Sequence, residues 1–194
     1  MIIQLIFFST LFARCFSFFY INKIKNTLNK KKRSVYLLIP FTRYTDLSQI
    51  LSLIWSGTII ILKTEPSNAF TSTTWVVLCN TTIGYWLFKK ELESDELPDK
   101  NKLYYKIGNF LGHGGINILM YFRPTNYTYY FSDIIYPLIL SFFWLIFVMQ
   151  IFYYISGEPV YPFLDQTVEI TKKVKIILLL FINSLIMGFI GILI

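Results

Sequence analysis

The chain has 194 residues, of which 55% are hydrophobic and 15% charged, and its mean hydropathy is +0.53. These values are too apolar for a soluble globular domain and predict a polytopic membrane protein. The net charge of +7 does not indicate a nucleic-acid-binding protein, because the basic residues lie in short loops between apolar segments and form no basic helix face.

A membrane-spanning helix needs about twenty consecutive, mostly apolar residues. Six segments meet this requirement, at residues 2–21, 44–62, 69–88, 103–122, 134–155 and 174–194. Most of them look like plain lipid-facing helices, and no internal repeat separates a second domain. The predicted fold class is therefore all-α: a single transmembrane domain over residues 1–194, built as a bundle of about six transmembrane helices.

The first apolar segment has two interpretations, a secretory signal peptide and a retained helix. A signal peptide would carry a basic N-terminal region and a small-residue cleavage site. This segment is long, begins without a basic residue and contains Arg14. We favour a retained helix, followed by a basic loop over residues 23–33.

Loop charge predicts the orientation of the bundle. The first loop carries six basic residues over 23–33; the third and fifth, counted with the adjoining helix starts that contain Lys106 and Lys175, carry five and three; the second and fourth carry one each. The positive-inside rule then places the odd-numbered loops in the cytosol and both termini on the opposite side. A glycosylation sequon at Asn126 falls in the fourth loop, on the luminal side, and a second at Asn80 falls inside the third helix, where it should be inaccessible.

The fourth segment contains the only histidine of the chain, His113, with Gly112, Gly114 and Gly115 around it. An ionisable residue at membrane depth is costly and is by default a functional hypothesis. The glycines would let a neighbouring helix or an acyl chain approach the backbone closely. The competing interpretation is structural, since a lone histidine also serves as a hydrogen-bonding partner between helices.

Thr42 and Thr45 lie at the start of the second segment, which enters from the same cytosolic side as the fourth. His113 lies roughly 14 Å into its helix at 1.5 Å per residue, so a threonine and the histidine could meet in the cytosolic half of the bundle. A hydroxyl beside a general base is the arrangement of a nucleophilic catalyst. Taken alone, threonine at a helix start is more often an N-terminal cap.

Four short motifs resemble the androgen-induced-gene family, which includes the androgen-dependent tissue-factor-pathway-inhibitor-regulating protein. They are Phe41-Thr-Arg-Tyr-Thr-Asp-Leu-Ser-Gln49, Trp86-Leu-Phe88, Asn109-Phe-Leu-Gly-His113 and Gly157-Glu-Pro-Val-Tyr-Pro-Phe163. The third is similar to the N-H-x-x-H stretch of the family, with Phe110 in place of the first histidine. The fourth matches G-x-W-V-Y-P-[FV] except at the tryptophan.

The resemblance implies a multi-pass membrane hydrolase that cleaves fatty acid esters of hydroxy fatty acids with a threonine nucleophile and a histidine. His113 corresponds to the second histidine of the family motif. The spacing to Gln49 favours Thr42 as the nucleophile, and the neighbouring Asp46 leaves Thr45 as the alternative. Asn117 and Arg43 are candidates for stabilising the oxyanion.

The expected partners are the lipid bilayer and a fatty-acyl ester substrate, and no nucleic acid. The expected location is an endomembrane such as the endoplasmic reticulum, or the plasma membrane. No cofactor or metal is expected, because Cys15 and Cys79 lie far apart in apolar segments without metal-ligand spacing. Two alternative functions are a non-catalytic multi-pass membrane scaffold and a small transporter; for the Tyr161–Phe163 stretch we favour an interfacial aromatic anchor over a catalytic role. The sequence does not indicate an oligomeric state.

Overall fold

The computed structural model of the protein describes residues 1–27, 43–87, 103–115, 130–157 and 167–193. All regular structure in these residues is helical, as predicted. The long helices are α1 (Ile2–Thr27), α2 (Tyr44–Ile61), α3 (Asn68–Leu87), α4 (Leu103–Phe110), α5 (Ile135–Ile146) and α6 (Ile170–Leu193). A π-helical turn, Leu111–Gly115, extends α4; a 3-10 turn, Phe131–Ile134, precedes α5, which continues through a π turn, Phe147–Phe152, into a last α-helical turn, Tyr153–Ser156.

The predicted boundaries of α2 and α3 agree with the structure within one residue, whereas α6 begins at Ile170, four residues before the predicted start, so that Lys172 and Lys173 are helical. The predicted end of the fourth segment lies outside the described residues. Helix α1 runs to Thr27, so Lys23 and Lys25 are helical and not part of a loop. Residues 22–27 contain no glycine or proline, and lysine is a good helix former, so nothing there ends the helix. The helical turn after α5 ends at Ser156, within one residue of the predicted end: Gly157 takes a left-handed φ of 72° and donates its N–H to the Tyr153 carbonyl.

Two of the described helices are long and apolar enough to cross a membrane, Phe131–Ser156 and Ile170–Leu193. A shorter apolar stretch, Ile2–Cys15, lies within α1. Spanning by the remaining predicted segments stays a prediction.

Helix α3 lies at the centre of the bundle and is not one of the plain lipid-facing helices that most of the predicted segments resemble. Every residue from Thr71 to Leu78 is buried, so α3 is covered on all sides by its neighbours. Four of its hydroxyl groups donate to carbonyls of the same helix, among them Thr74 to Phe70 at 2.8 Å and Thr81 to Val77 at 2.9 Å. Internal hydrogen bonding of this kind is what makes a polar helix tolerable in a dry interior.

Helix α1 packs along α2. Ile6 and Ala13 are fully buried in a core that also contains Trp55, Trp75 and Leu78 of α2 and α3. The Thr10 and Ser52 hydroxyls lie 3.2 Å apart across the same contact. These are the contacts of a helix that belongs to the folded bundle.

A polar network joins α3 to the other side of the bundle. The Asn80 side-chain amide donates to Ser184 and accepts from Asn183, both on α6. It also lies 3.4 Å from the hydroxyl of Tyr44 at the start of α2, and that hydroxyl is 2.8 Å from Ser141 of α5. Asn80 is therefore buried and fully engaged, in agreement with the prediction that its sequon is inaccessible.

Candidate functional site

Thr45 and His113 lie in contact between α2 and the π turn after α4. The Thr45 Oγ1 atom is 3.3 Å from His113 Nδ1, although the two residues are 68 positions apart in the chain. Thr45 is the second residue of α2, and Arg43, which makes no side-chain cap, occupies the N-cap position. Capping therefore does not account for Thr45, because its hydroxyl faces the histidine of another helix.

The π turn presents His113 to the interior of the bundle. The predicted regular helix is interrupted at Leu111, where the sequence Leu-Gly-His-Gly-Gly has low helix propensity. Short π segments widen a helix locally and occur frequently at functional sites. His113 is only 7% exposed, whereas Phe110, at the position of the family's first histidine, is 53% exposed. A histidine at position 110 would thus lie on the outer face, away from Thr45.

Tyr85 of α3 holds the imidazole from the other side. The two rings are stacked with centroids 3.7 Å apart and planes 12° from parallel. Stacking fixes the plane of the His113 ring and excludes water from one of its faces. Nothing in the sequence pattern singled out Tyr85, since an aromatic residue near the end of an apolar helix is common.

Gln49 lies one helical turn after Thr45 and packs against Gly112. It is 1% exposed, and its Oε1 atom has no hydrogen-bond partner among the described residues. A Cβ atom built on Gly112 would come within 2.8 Å of Gln49 Nε2, so only glycine leaves room for this amide. Burying an amide without using its hydrogen bonds costs about 1–3 kcal/mol, which the packing of a methionine or leucine would avoid.

Asp46, the residue after Thr45, is buried beside two arginines. Its Oδ1 accepts from Arg14 Nη1 of α1 at 2.7 Å, and its Oδ2 lies 3.9 Å from Arg43 Nε. The carboxylate is 1% exposed, and burial of such a charge requires a partner of opposite sign. Arg14, noted in the sequence only as an obstacle to a signal peptide, is that partner.

The structure thus brings together one of the two candidate threonines and the candidate histidine. Thr42, Asn117 and the Tyr161–Phe163 stretch lie outside the described residues, and so does the sequon at Asn126. Arg43 lies beside Asp46 at the entrance of α2. Sequence reasoning missed Tyr85 and left Gln49 as a spacing marker; in the sequence, Gln49 could have been found as a second polar residue four positions after Thr45, on the same helix face.

This geometry allows proton transfer between a hydroxyl and an imidazole. With the proton of neutral His113 on Nε2, the Nδ1 atom accepts a hydrogen bond from the Thr45 hydroxyl, which is the pairing of a nucleophile with its base. Within the part of the chain that the structure describes, no cluster of three or more His, Cys, Asp or Glu side chains could hold a metal ion.

Comparisons with known proteins returned no match to a family model, to a curated protein or to a solved structure. The resemblance to the androgen-induced-gene family therefore stays a prediction, and inference about function depends on the site geometry itself.

Proposed function

We propose that the protein is an intramembrane threonine hydrolase that cleaves lipid esters such as fatty acid esters of hydroxy fatty acids. The observation that carries the proposal is the 3.3 Å contact between the Thr45 hydroxyl and Nδ1 of the single, buried histidine. The apolar helices around the site would deliver a fatty-acyl substrate from the bilayer.

The reaction proceeds through an acyl-enzyme. The Thr45 oxygen attacks the ester carbonyl carbon as its proton passes to His113, and the carbonyl electrons move onto the oxygen. Collapse of this intermediate breaks the ester bond, and His113 returns the proton to the departing alkoxide. Water then attacks the acyl-threonine with His113 again as base, which releases the fatty acid and restores the hydroxyl.

Thr45 is the nucleophile in this proposal, and Thr42 is the alternative. The motif spacing favours Thr42, whereas the distance to His113 supports Thr45. A separate substitution of each threonine distinguishes them.

We also propose six membrane spans with the first, third and fifth loops in the cytosol. The asymmetry of loop charge supports this topology, which puts Thr45 near the cytosolic surface. The membrane is the endoplasmic reticulum or the plasma membrane.

The second candidate function is a non-catalytic membrane scaffold. Several polar contacts between helices favour it: Asn80 and the Arg14–Asp46 pair link helices and have no part in the proposed reaction. On this interpretation the Thr45–His113 contact is one more interhelical hydrogen bond.

Labelling with an alkyl fluorophosphonate separates the two functions, since it modifies an activated hydroxyl covalently. We expect the purified protein in detergent to be labelled, and Thr45→Ala and His113→Ala to lower the labelling rate about 10²–10⁴-fold. Thr42→Ala should retain labelling. Thr58→Ala, the same chemical change on α2 at a hydroxyl bonded to its own helix, is the matched control.

The rates at which the variants hydrolyse a fatty acid ester of a hydroxy fatty acid should rank in the same order as their labelling rates. Labelling lost in Thr42→Ala and kept in Thr45→Ala would move the nucleophile to Thr42. Absence of both labelling and ester cleavage in the unmutated protein would refute the hydrolase and leave the scaffold.

A further inference from the structure

The Gln49 side chain is buried beside Thr45 and Gly112, and hydrogen bonding within the described residues does not explain why it is polar. It is 1% exposed, and the Oε1 atom has no hydrogen-bond partner in the described part of the chain. Buried polar groups are nearly always hydrogen-bonded, so a buried amide whose oxygen has no partner among the described residues points to a ligand or a reacting group nearby.

The position of this amide is set by two elements of the site. Gln49 follows Thr45 by four residues, which places both side chains on one face of α2, with Cβ atoms about 5–6 Å apart. Its Nε2 atom lies against Gly112, the residue before His113, at a place where any Cβ would approach it within 2.8 Å. The donor end of the amide is therefore on the side of the π turn that carries the histidine.

We infer that Gln49 is a catalytic residue that donates an Nε2 hydrogen bond to the ester carbonyl oxygen as it becomes an oxyanion. When the Thr45 oxygen bonds to the carbonyl carbon, the carbonyl electrons move onto this oxygen and the hydroxyl proton goes to His113. Gln49 exchanges no proton and forms no covalent bond; it stabilises the charge that develops. This inference rests on the proposed hydrolase function. It makes Gln49 the oxyanion donor, in place of the earlier candidates Asn117 and Arg43.

The test compares Gln49→Met with the unmutated protein. Methionine keeps the length and most of the volume of glutamine but cannot donate, so packing against Gly112 is retained. We expect kcat for ester hydrolysis to fall about 10²–10³-fold, as for the loss of one oxyanion donor, with KM changed less than threefold. Ser56→Ala, a buried polar position on the same helix that bonds only to its own carbonyls, should keep kcat.

A pair of inhibitors distinguishes a donor from a merely structural residue. A long-chain trifluoromethyl ketone forms a hemiketal with the threonine and carries the oxyanion, whereas the matching methyl ketone stays unreacted. Gln49→Met should weaken the first in proportion to kcat/KM and leave the second within threefold. Equal weakening of both, or kcat within threefold of the unmutated protein, would overturn the donor role.

Two glycine variants test the same amide without changing it. Gly112→Ala displaces the Gln49 amide and should lower kcat at least tenfold, while Gly57→Ala, on α2 outside the site, meets the Phe7 ring only at 3.4 Å and should not. Equal kcat in the two variants would contradict the inferred position of the donor. If the unmutated protein neither hydrolyses the ester nor binds the trifluoromethyl ketone, the hydrolase function and the Gln49 role fail together; if only the Gln49 and Gly112 variants behave like the unmutated protein, the hydrolase stands and the Gln49 role alone fails.

Discussion

At the scale of single residues, the candidate site depends on how the His113 ring is held. One nitrogen faces the Thr45 hydroxyl, and one ring face is covered by Tyr85. A base that rotates freely would spend little time aligned with its nucleophile, so a stacked aromatic ring contributes to the rate by positioning. Tyr85 is thus a positioning residue in the proposed mechanism.

Replacing Tyr85 with leucine should lower the rate of fluorophosphonate labelling by up to about tenfold, because an aromatic pair contributes about 0.5–1.5 kcal/mol beyond its burial. Tyr85→Phe retains the ring and should label within about threefold of the unmutated protein. The measurement is the time course of probe incorporation at fixed probe concentration. A Tyr85→Leu variant as fast as Tyr85→Phe would show that stacking does not position the base.

At the scale of helices, α1 is joined to α2 by one strong charged contact. Arg14 and Asp46 are paired at 2.7 Å, with the carboxylate fully buried. Removing one member of a buried pair leaves an uncompensated charge, whereas replacing both with apolar residues is often close to neutral. The pair therefore contributes more to the position in which α1 packs against α2 than to the free energy of unfolding.

A double-mutant cycle on this pair should show strong coupling. Arg14→Met alone is expected to destabilise the folded protein by about 3–5 kcal/mol, and Arg14→Met with Asp46→Leu should recover most of that loss. The readout is the free energy of unfolding in detergent, with the Thr58→Ala protein as a control of unchanged charge. Additive effects of the two substitutions would mean that the 2.7 Å contact contributes no coupling energy.

At the scale of the whole molecule, the orientation in the membrane decides from which side the proposed substrate enters. Loop charge predicts that the third loop lies in the cytosol and the second on the other side. Since α2 starts on the cytosolic side in this topology, Thr45 would face substrate from the cytosolic leaflet.

Single cysteines test the topology. In a background with Cys15 and Cys79 changed to alanine, we expect Ser94→Cys in the third loop to react with a membrane-impermeant maleimide applied from the cytosolic side. Ser67→Cys in the second loop should react only after the membrane is permeabilised. Reaction of both positions from the same side would contradict the six-span arrangement.

The sequence by itself determined the helical class and the boundaries of α2 and α3 within one residue, and it singled out His113 as a candidate. Apolar segments long enough to cross a membrane and the glycine at position 157 are local signals. They can be recognised without knowing which helices are in contact. Local signals also explain the errors. The threonines of α3 show in the sequence that this helix is polar. Its place at the centre of the bundle does not show there, because burial depends on which helices pack around it.

Only the tertiary structure decided which groups meet. The contact of Thr45 with His113, the stacking of Tyr85 and the pairing of Arg14 with Asp46 all join different helices, and hydropathy gives no register between one helix and the next. The glycines around His113 indicate a weak point in the helix, but they do not specify a π turn, because glycine fits several backbone conformations. In the folded bundle the turn directs His113 toward α2. This packing needs glycine at position 112, because a Cβ atom there would collide with the Gln49 amide.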